Sequence, residues 1–312
     1  MTRPRVVVTG AAGLVGQNLV LMLAERGYTD ITAIDKHARN LEILRSLVPT
    51  AKTVAADLTE PGPWEESFDP QTLVFVLHAH ITGKYPEEFV RNNIEATRRM
   101  LEAIKRRGAR YLVHVSSSVV VSVSDDDYVR TKKAQEEMVR ASGLPHCVLR
   151  PTLMFGWFDP KHLGWLSRFM EKTPVFPIPS DGRFMRQPLY IRDFCRALVW
   201  AGENMPDATV YDVVGATRID YVDIIRSIKK VKGLRTWIVH IPMGLFAALL
   251  RVYALFSRRP PFTADQLSAL SAGDDFKGVD TEAAFGFRQT PFEDAVRESY
   301  CDPRYSHVLV HR

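Results

Sequence analysis

The chain is predicted to be an α/β protein with a doubly wound parallel sheet and a smaller C-terminal lobe interleaved with it. Three observations predict this. Short β-branched runs alternate with helical patterns through the first half, the order that implies a parallel sheet covered on both faces. The first run, Val6-Val7-Val8-Thr9, stops at a glycine turn and passes straight into an apolar helical pattern. The second run ends on an acidic residue, Asp35.

The elements follow in order. Strands are expected at 5–9, 31–35, 53–56, 72–78, 111–116 and 146–150. Helices are expected between them at 13–26, 39–47, 86–107 and 128–142. The first helix carries Leu14, Leu19, Val20 and Leu23 at helical spacing. The helix at 86–107 opens on Pro86-Glu87-Glu88 and closes on Lys105-Arg106-Arg107-Gly108, ends that suit the helix dipole. Residues 1–150 are read as the dinucleotide-binding domain. Beyond Arg150-Pro151 the texture changes, and 151–312 is read as mostly a substrate-binding lobe. Residues 151–190 are rich in Pro, Gly and aromatics and are expected to be loops and short elements. Helices are expected at 193–203, 220–231, 243–256, 263–271 and 291–300, with short strands near 187–191, 209–214 and 236–241. No internal repeat is visible.

Trp237 to Phe256 is the most apolar stretch, too short in its helical part to span a bilayer, which needs about 20 apolar residues. Leu245, Leu249, Val252 and Phe256 share a face and are read as a packed core helix. Arg258-Arg259 just beyond permits a second reading, a surface helix in peripheral contact with anionic lipid.

The 46% hydrophobic and 25% charged content of these 312 residues is that of a globular protein. A net charge of +5 suits anionic small molecules. No basic run is interleaved with aromatics, so nucleic-acid binding is not expected. Cys147, Cys195 and Cys301 are odd in number and far apart, which offers neither a disulfide framework nor a metal pattern. Met1-Thr2-Arg3-Pro4-Arg5 runs directly into the first strand and leaves no room for a signal peptide, so the cytoplasm is the expected location.

The glycine turn carries the first piece of chemistry. In Gly10-Ala11-Ala12-Gly13-Leu14-Val15-Gly16 the glycines allow a sharp turn, close approach to a pyrophosphate and close helix–strand packing. The helix start presents unpaired N–H groups to phosphate. Asp35, 19 residues after Gly16, can accept hydrogen bonds from an adenosine ribose and would repel a 2′-phosphate. NAD is therefore expected, with NADP left open by Lys36, His37 and Arg39. Tyr128 and Lys132 form a Tyr-x-x-x-Lys pair eleven residues after Ser117, on one face of a helix. A lysine one turn away lowers a phenol's pKa and makes tyrosine a usable acid or base.

Glycine turn and Tyr/Lys pair in this order resemble the extended short-chain dehydrogenase/reductase family, specifically its NAD-dependent epimerase/dehydratase branch, over most of residues 5–215. The resemblance implies a Rossmann-type fold with Gly10, Ala12, Gly13, Leu14, Val15 and Asp35 at the cofactor. It adds Asp57 and Leu58 near adenine, and Pro151 beside the nicotinamide, in Arg150-Pro151-Thr152-Leu153-Met154-Phe155-Gly156. His78-Ala79-His80 stands where the family has His-x-Ala; Ala79 leaves room for the dinucleotide, His78 packs, and His80 faces the substrate or the cofactor edge. Asn93 matches a family asparagine that holds backbone near the site. Tyr128 is implied as acid/base, Lys132 as its tuner and ribose ligand, and Ser117 as the hydrogen-bond partner of the reacting oxygen, with Ser118 second. Asp125-Asp126-Asp127 is read as a turn capping the Tyr128 helix. Dehydratases of the branch carry Thr-Asp-Glu where this chain has Ser117-Ser118-Val119, so dehydration is not expected. Arg186, within Asp181 to Asp193, matches the family's diphosphate-binding arginine; Arg258 or Arg259 is a second candidate. No metal is expected.

The leading expectation is an NAD-dependent epimerase or keto-reductase acting on a nucleotide-linked sugar, working as a homodimer. A hydroxysteroid or lipid-alcohol dehydrogenase is the alternative, and a catalytically silent NAD-binding scaffold is a third reading that Ser117, Tyr128 and Lys132 oppose.

Overall fold

A computed structural model describes residues 3–83, 85–122, 125–256 and 276–311. In chain order the first part comprises β1 (Val6–Thr9), α1 (Leu14–Glu25), β2 (Ile31–Asp35), α2 (Ala38–Leu47), β3 (Lys52–Ala55), β4 (Leu73–Val76), α3 (Pro86–Phe89), α4 (Ala96–Arg107), β5 (Tyr111–Val115), α5 (Asp127–Arg140) and β6 (His146–Pro151). Then come β7 (Met154–Phe155), α6 (His162–Lys172), β8 (Val175–Pro179), β9 (Met185–Arg186), β10 (Leu189–Tyr190), α7 (Ile191–Asn204) and β11 (Val210–Val213). The described chain closes with β12 (Ile219–Asp220), α8 (Tyr221–Lys232), β13 (Trp237–Ile241), α9 (Met243–Phe256), α10 (Thr281–Phe285) and α11 (Phe292–Cys301).

Seven strands form one parallel sheet in the order β11-β6-β5-β4-β1-β2-β3. Its strands are apolar on both sides because helices cover both faces. Val6, Val8, Ala33 and Phe75 point into one core cluster, and Val7, Ile34, Val74 and Val76 into the other. β1 pairs with β2 on one side and β4 on the other, so the winding reverses there. The crevice at the carboxyl ends of β1 and β4 is the topological switch point where such sheets bind ligands.

The predicted boundaries of the first six strands agree with the observed ones within two residues. The helix expected at 86–107 differs: a π-helical turn, Val90–Glu95, separates α3 from α4. Such turns insert one extra residue into the spiral and often occur at functional sites. Here the turn carries Asn93, which is fully buried. β11, from well beyond residue 150, completes the main sheet against β6, and α7 packs on α1.

Residues 151–190 hold more regular structure than expected. In α6, Leu163, Ser167 and Met170 are buried at i, i+4 and i+7, and Asp159 accepts from Gly164 N–H at 2.9 Å to fasten its first turn. β8 contains Pro177 and Pro179, which lack the N–H of a central strand. It is tolerated because β8 pairs only with β13, in a two-stranded parallel ribbon outside the main sheet. The strand expected near 187–191 is only Leu189–Tyr190, since α7 begins at Ile191.

One expectation is overturned. The helix at 243–256 forms, but it is not a core helix. Leu245, Leu249 and Val252 are 50%, 49% and 53% exposed. α9 leans on β8, and among the described residues no sheet covers its outer stripe. The helix expected at 263–271, together with Arg258 and Arg259, lies outside the described residues.

Candidate active site

The glycine turn is built as the residues demand. Gly10 has φ +69°, and a Cβ there would stand 2.6 Å from the His78 backbone nitrogen. A Cβ on Gly16 would come within 2.5 Å of Gly10 O, so α1 could not lie so close to β1 with any side chain there. Gly13 is the N-cap of α1, and no side chain caps the helix. The N–H groups of Leu14 and Val15 therefore start the helix without a side-chain acceptor, the arrangement that suits a pyrophosphate. Ala12 is different, because its N–H already donates to Asp35 Oδ2 at 3.0 Å. Asp35 Oδ1 accepts from His37 N–H at 2.9 Å, so this carboxylate ties the end of β2 to the turn. Lys36 is drawn aside to Asn92 Oδ1.

Asp57 accepts from Thr59 N–H and Oγ–H at 3.0 and 2.8 Å and from Arg91 Nη2 at 3.1 Å. Partial burial works to raise its pKa, but these donors and the Arg91 charge outweigh it and hold the carboxyl below the usual range. Leu58 is buried in the lower core cluster, so only its backbone can reach the crevice.

At the end of β4, His78 is held on both ring nitrogens, by Thr9 Oγ1 and Thr97 Oγ1, each at 2.9 Å. Burial pushes its pKa down to about 3, so the ring is neutral at physiological pH. It is a structural strut between β1 and α4. Ala79 keeps the floor between the two histidines small. Asn93 clamps His80 from both sides, accepting from its N–H at 2.6 Å and donating to its carbonyl at 3.1 Å. The same Asn93 Nδ2 lies 3.0 Å from Thr131 Oγ1 on the Tyr128 helix. The His80 ring packs edge-on to Phe89 and faces Glu88 at 3.4 Å.

Ser117, Tyr128 and Lys132 converge beyond the carboxyl end of β5. Asp126 caps α5 by accepting from Val129 N–H at 2.9 Å, as expected of the acidic turn. Ser117 is nearly buried and its hydroxyl lies beside the Tyr128 phenol. Desolvation raises the phenol's pKa, and the neighbouring Ser117 hydroxyl opposes that rise. Ser118 is buried at the start of the following 3-10 turn. Lys132 is 1% exposed, and its Nζ donates to Val115 O at 2.9 Å and to Gln135 Oε1 at 2.5 Å. Burial pushes this ammonium down to about 7. Tyr128 and Lys132 share a helix face, and in this structure the Lys132 ammonium donates to Val115 O and Gln135 Oε1.

Gln135 and Thr97 were missed from the sequence. Gln135 accepts from Lys132 and donates to His78 O and to Thr97 Oγ1, at 3.2 and 2.9 Å. Thr97 in turn meets His78, so β1, β4, α4 and α5 are joined through one buried polar chain. The available signal was a glutamine three residues after Lys132, on the same helix face.

Pro151 ends β6, and Thr152 Oγ1 donates to Gln187 O at 2.9 Å. That bond brings Arg186, itself 7% exposed, beside the carboxyl edge of the sheet, near Tyr221. Among the described residues no group of three or more His, Cys, Asp or Glu is placed to hold a metal ion.

The profile of the NAD dependent epimerase/dehydratase family matches residues 6–214, which contain the turn, the buried polar chain and the Ser/Tyr/Lys group. The chain belongs to this family. It is an enzyme of the short-chain dehydrogenase/reductase type. A ceramide reductase from Caulobacter vibrioides is 26% identical over 244 residues, 76% of this chain and 73% of that one. Among solved structures, the Bordetella bronchiseptica enzyme WbmF in complex with NAD+ superposes with a TM-score of 0.74 at 18% identity, covering 95% of this chain and 91% of that one. A UDP-glucose 4-epimerase from Thermotoga maritima with UDP-glucose gives a TM-score of 0.74 at 19% identity, covering 95% and 97%. The cofactor in the family's name fits the residues present: an uncapped helix start, glycines without room for a side chain, and a carboxylate at the end of β2.

Proposed function

We propose that the protein interconverts a secondary alcohol and a ketone on a nucleotide-linked sugar, using NAD. The observation that carries the reaction is the placing of Ser117 beside Tyr128 at the carboxyl end of β5, where the buried Lys132 donates to Val115 O. When bound, the dinucleotide supplies or removes the hydride. Tyr128 gives its proton to a ketone oxygen or takes one from an alcohol, and Ser117 orients that oxygen. The neutral phenol of the free protein suits ketone reduction, because an acid with its proton in place is what that direction requires. A phenolate left behind would draw the Lys132 ammonium away from Gln135.

NAD(H) is expected to bind roughly tenfold or more tightly than NADP(H), since Asp35 repels a 2′-phosphate and Lys36 is engaged by Asn92. Titration calorimetry with both dinucleotides tests this. Equal affinities would remove Asp35 from the reading.

Arg186 is the proposed diphosphate ligand, because its planar fork matches phosphate oxygens. Arg186→Ala should weaken binding of UDP or dTDP by about tenfold or more, the loss of a charge-assisted bond of roughly 1.5–3 kcal/mol, with NAD affinity unchanged. Failure of the wild-type protein to bind either nucleotide would defeat the sugar reading. The alternative, a lipid-alcohol substrate, is favoured by the apolar surface of α9 and β13 and would then take its place.

A further inference from the structure

The β8–β13 ribbon and α9 present an apolar surface that the proposed reaction does not use. Strand pairing sets Trp237 opposite Val175, and both side chains are exposed; Val239, two residues along β13, shares their face and is exposed as well. Trp237 is 74% exposed, the most open large apolar side chain described. β13 leads through Pro242 into α9, and there Leu245, Leu249 and Val252 form one exposed stripe at helical spacing. Both halves of this surface lean on the same strand, β8. Isolated exposed apolar residues need no explanation, but six on three mutually packed elements do.

The charges around this surface identify what it meets. α8 ends in Lys229, Lys230 and Lys232, and Arg235 stands two residues before Trp237. Arg226, Lys229, Lys230, Leu234 and Ile238 line an open groove on the other face of β13, whereas Lys172 and Arg235 stand at the end of the β8–β13 ribbon, which Thr236 ties to Met170 and Thr173. Lys230 and Lys232 are paired with Glu293 and Glu171. Lys172, Lys229 and Arg235 have no acidic partner among the described residues, although acidic side chains are plentiful elsewhere on the surface. An exposed tryptophan among aliphatic residues, with Lys172 and Arg235 at the end of the same ribbon, is the composition that seats a protein in a lipid interface. The ring and aliphatics enter the acyl boundary, and the cations meet anionic headgroups.

We infer that this surface docks the enzyme on an anionic lipid bilayer. No described helix is long and apolar enough to cross one, so the contact is peripheral. A second copy of the chain is a poorer occupant, because apposing two copies of this surface would bring like-charged Lys172 and Arg235 together.

The test is co-sedimentation of the full chain with extruded vesicles of phosphatidylcholine alone or of phosphatidylcholine mixed with phosphatidylglycerol. The wild-type protein should pellet with the mixed vesicles and remain largely in solution with phosphatidylcholine alone. Trp237→Ser combined with Leu249→Ser should abolish pelleting with little change in melting temperature, because most of Trp237 and about half of Leu249 are already in water. Lys172→Glu and Arg235→Glu should each lower binding at least about fivefold, the equivalent of about 1 kcal/mol per basic side chain at an anionic surface. No wild-type binding to mixed vesicles, or binding untouched by these variants, overturns the inference. So does a wild-type dimer in sedimentation equilibrium that Trp237→Ser converts to monomer, since the face would then belong to a second copy. Pelleting is read without turnover, so its outcome is independent of which substrate the enzyme takes.

Discussion

Tyr128→Phe is expected to fold and bind dinucleotide as the wild type does and to lose turnover by about 10²–10⁴-fold, the usual contribution of a positioned acid or base. Only the phenol oxygen, the group beside Ser117, is removed. The ring stays on α5, whose start is held by the Asp126 cap and whose body is held by the Asn93–Thr131 contact. The check is kcat measured beside NAD affinity. A variant within twofold of wild type in kcat would take Tyr128 out of the chemistry. A variant that loses cofactor affinity in parallel would make its role structural. Ser117→Ala should act in the same direction and less strongly, because a donor remains on the tyrosine.

The largest stability effect is expected from Glu136→Ala. Glu136, 5% exposed, accepts from Arg150 Nε and Nη2 at 2.9 and 2.5 Å, and so fastens α5 to β6. Arg150 also faces Asp212 of β11 at 3.6 Å. Removing the carboxylate leaves a largely buried guanidinium with one distant partner, a change that typically costs 3–5 kcal/mol. At the lower end, about 3 kcal/mol, the melting temperature should fall by roughly 6–12 °C. Burial works to raise the Glu136 pKa, but the Arg150 hydrogen bonds and charge override it and the folded value is lowered. A carboxyl with a depressed folded pKa stabilises above its unfolded value, about 4.3, and that stability is lost as the pH falls through the folded value. The gap between wild type and Glu136→Ala should therefore be widest near neutrality and should close in acid. Thermal melts across pH test both statements, and a gap that does not change with pH would mean packing, not charge, holds this joint. Replacing both partners by apolar residues of similar volume should recover much of the loss.

Much of the site was legible because its signals are local. Gly10, Gly13 and Gly16 reveal themselves by spacing, and the structure gives Gly10 and Gly16 the steric reason for having no side chain. Tyr128 and Lys132 declare a shared helix face by their four-residue interval, and Asp126 declares a cap by standing in an acidic turn at the start of the Tyr128 helix. The surroundings of Lys132 were not legible. Its partners are Val115 and Gln135, and Gln135 is tied to His78, 57 residues away in sequence. A spacing rule can put a lysine one turn from a tyrosine, but it cannot say which acceptor the ammonium finds. The π-helical turn was hidden for the same reason, because Asn93 is drawn inward by His80 and Thr131, 13 and 38 residues distant.

The sequence by itself determined the alternation of strands and helices, the place of the dinucleotide turn, the acid at the end of β2 and the membership of Ser117, Tyr128 and Lys132 in one group. Each depends on neighbours within a few residues, where backbone sterics and helical or strand periodicity decide the outcome. The tertiary structure alone decided which side of α9 is covered, whether β8 could be a strand despite two prolines, and where the Lys132 charge rests. Periodicity shows that Leu245, Leu249 and Val252 share a face, but burial depends on what another part of the chain brings against that face. Here nothing described does, and a helix with the pattern of a core element lies on the surface.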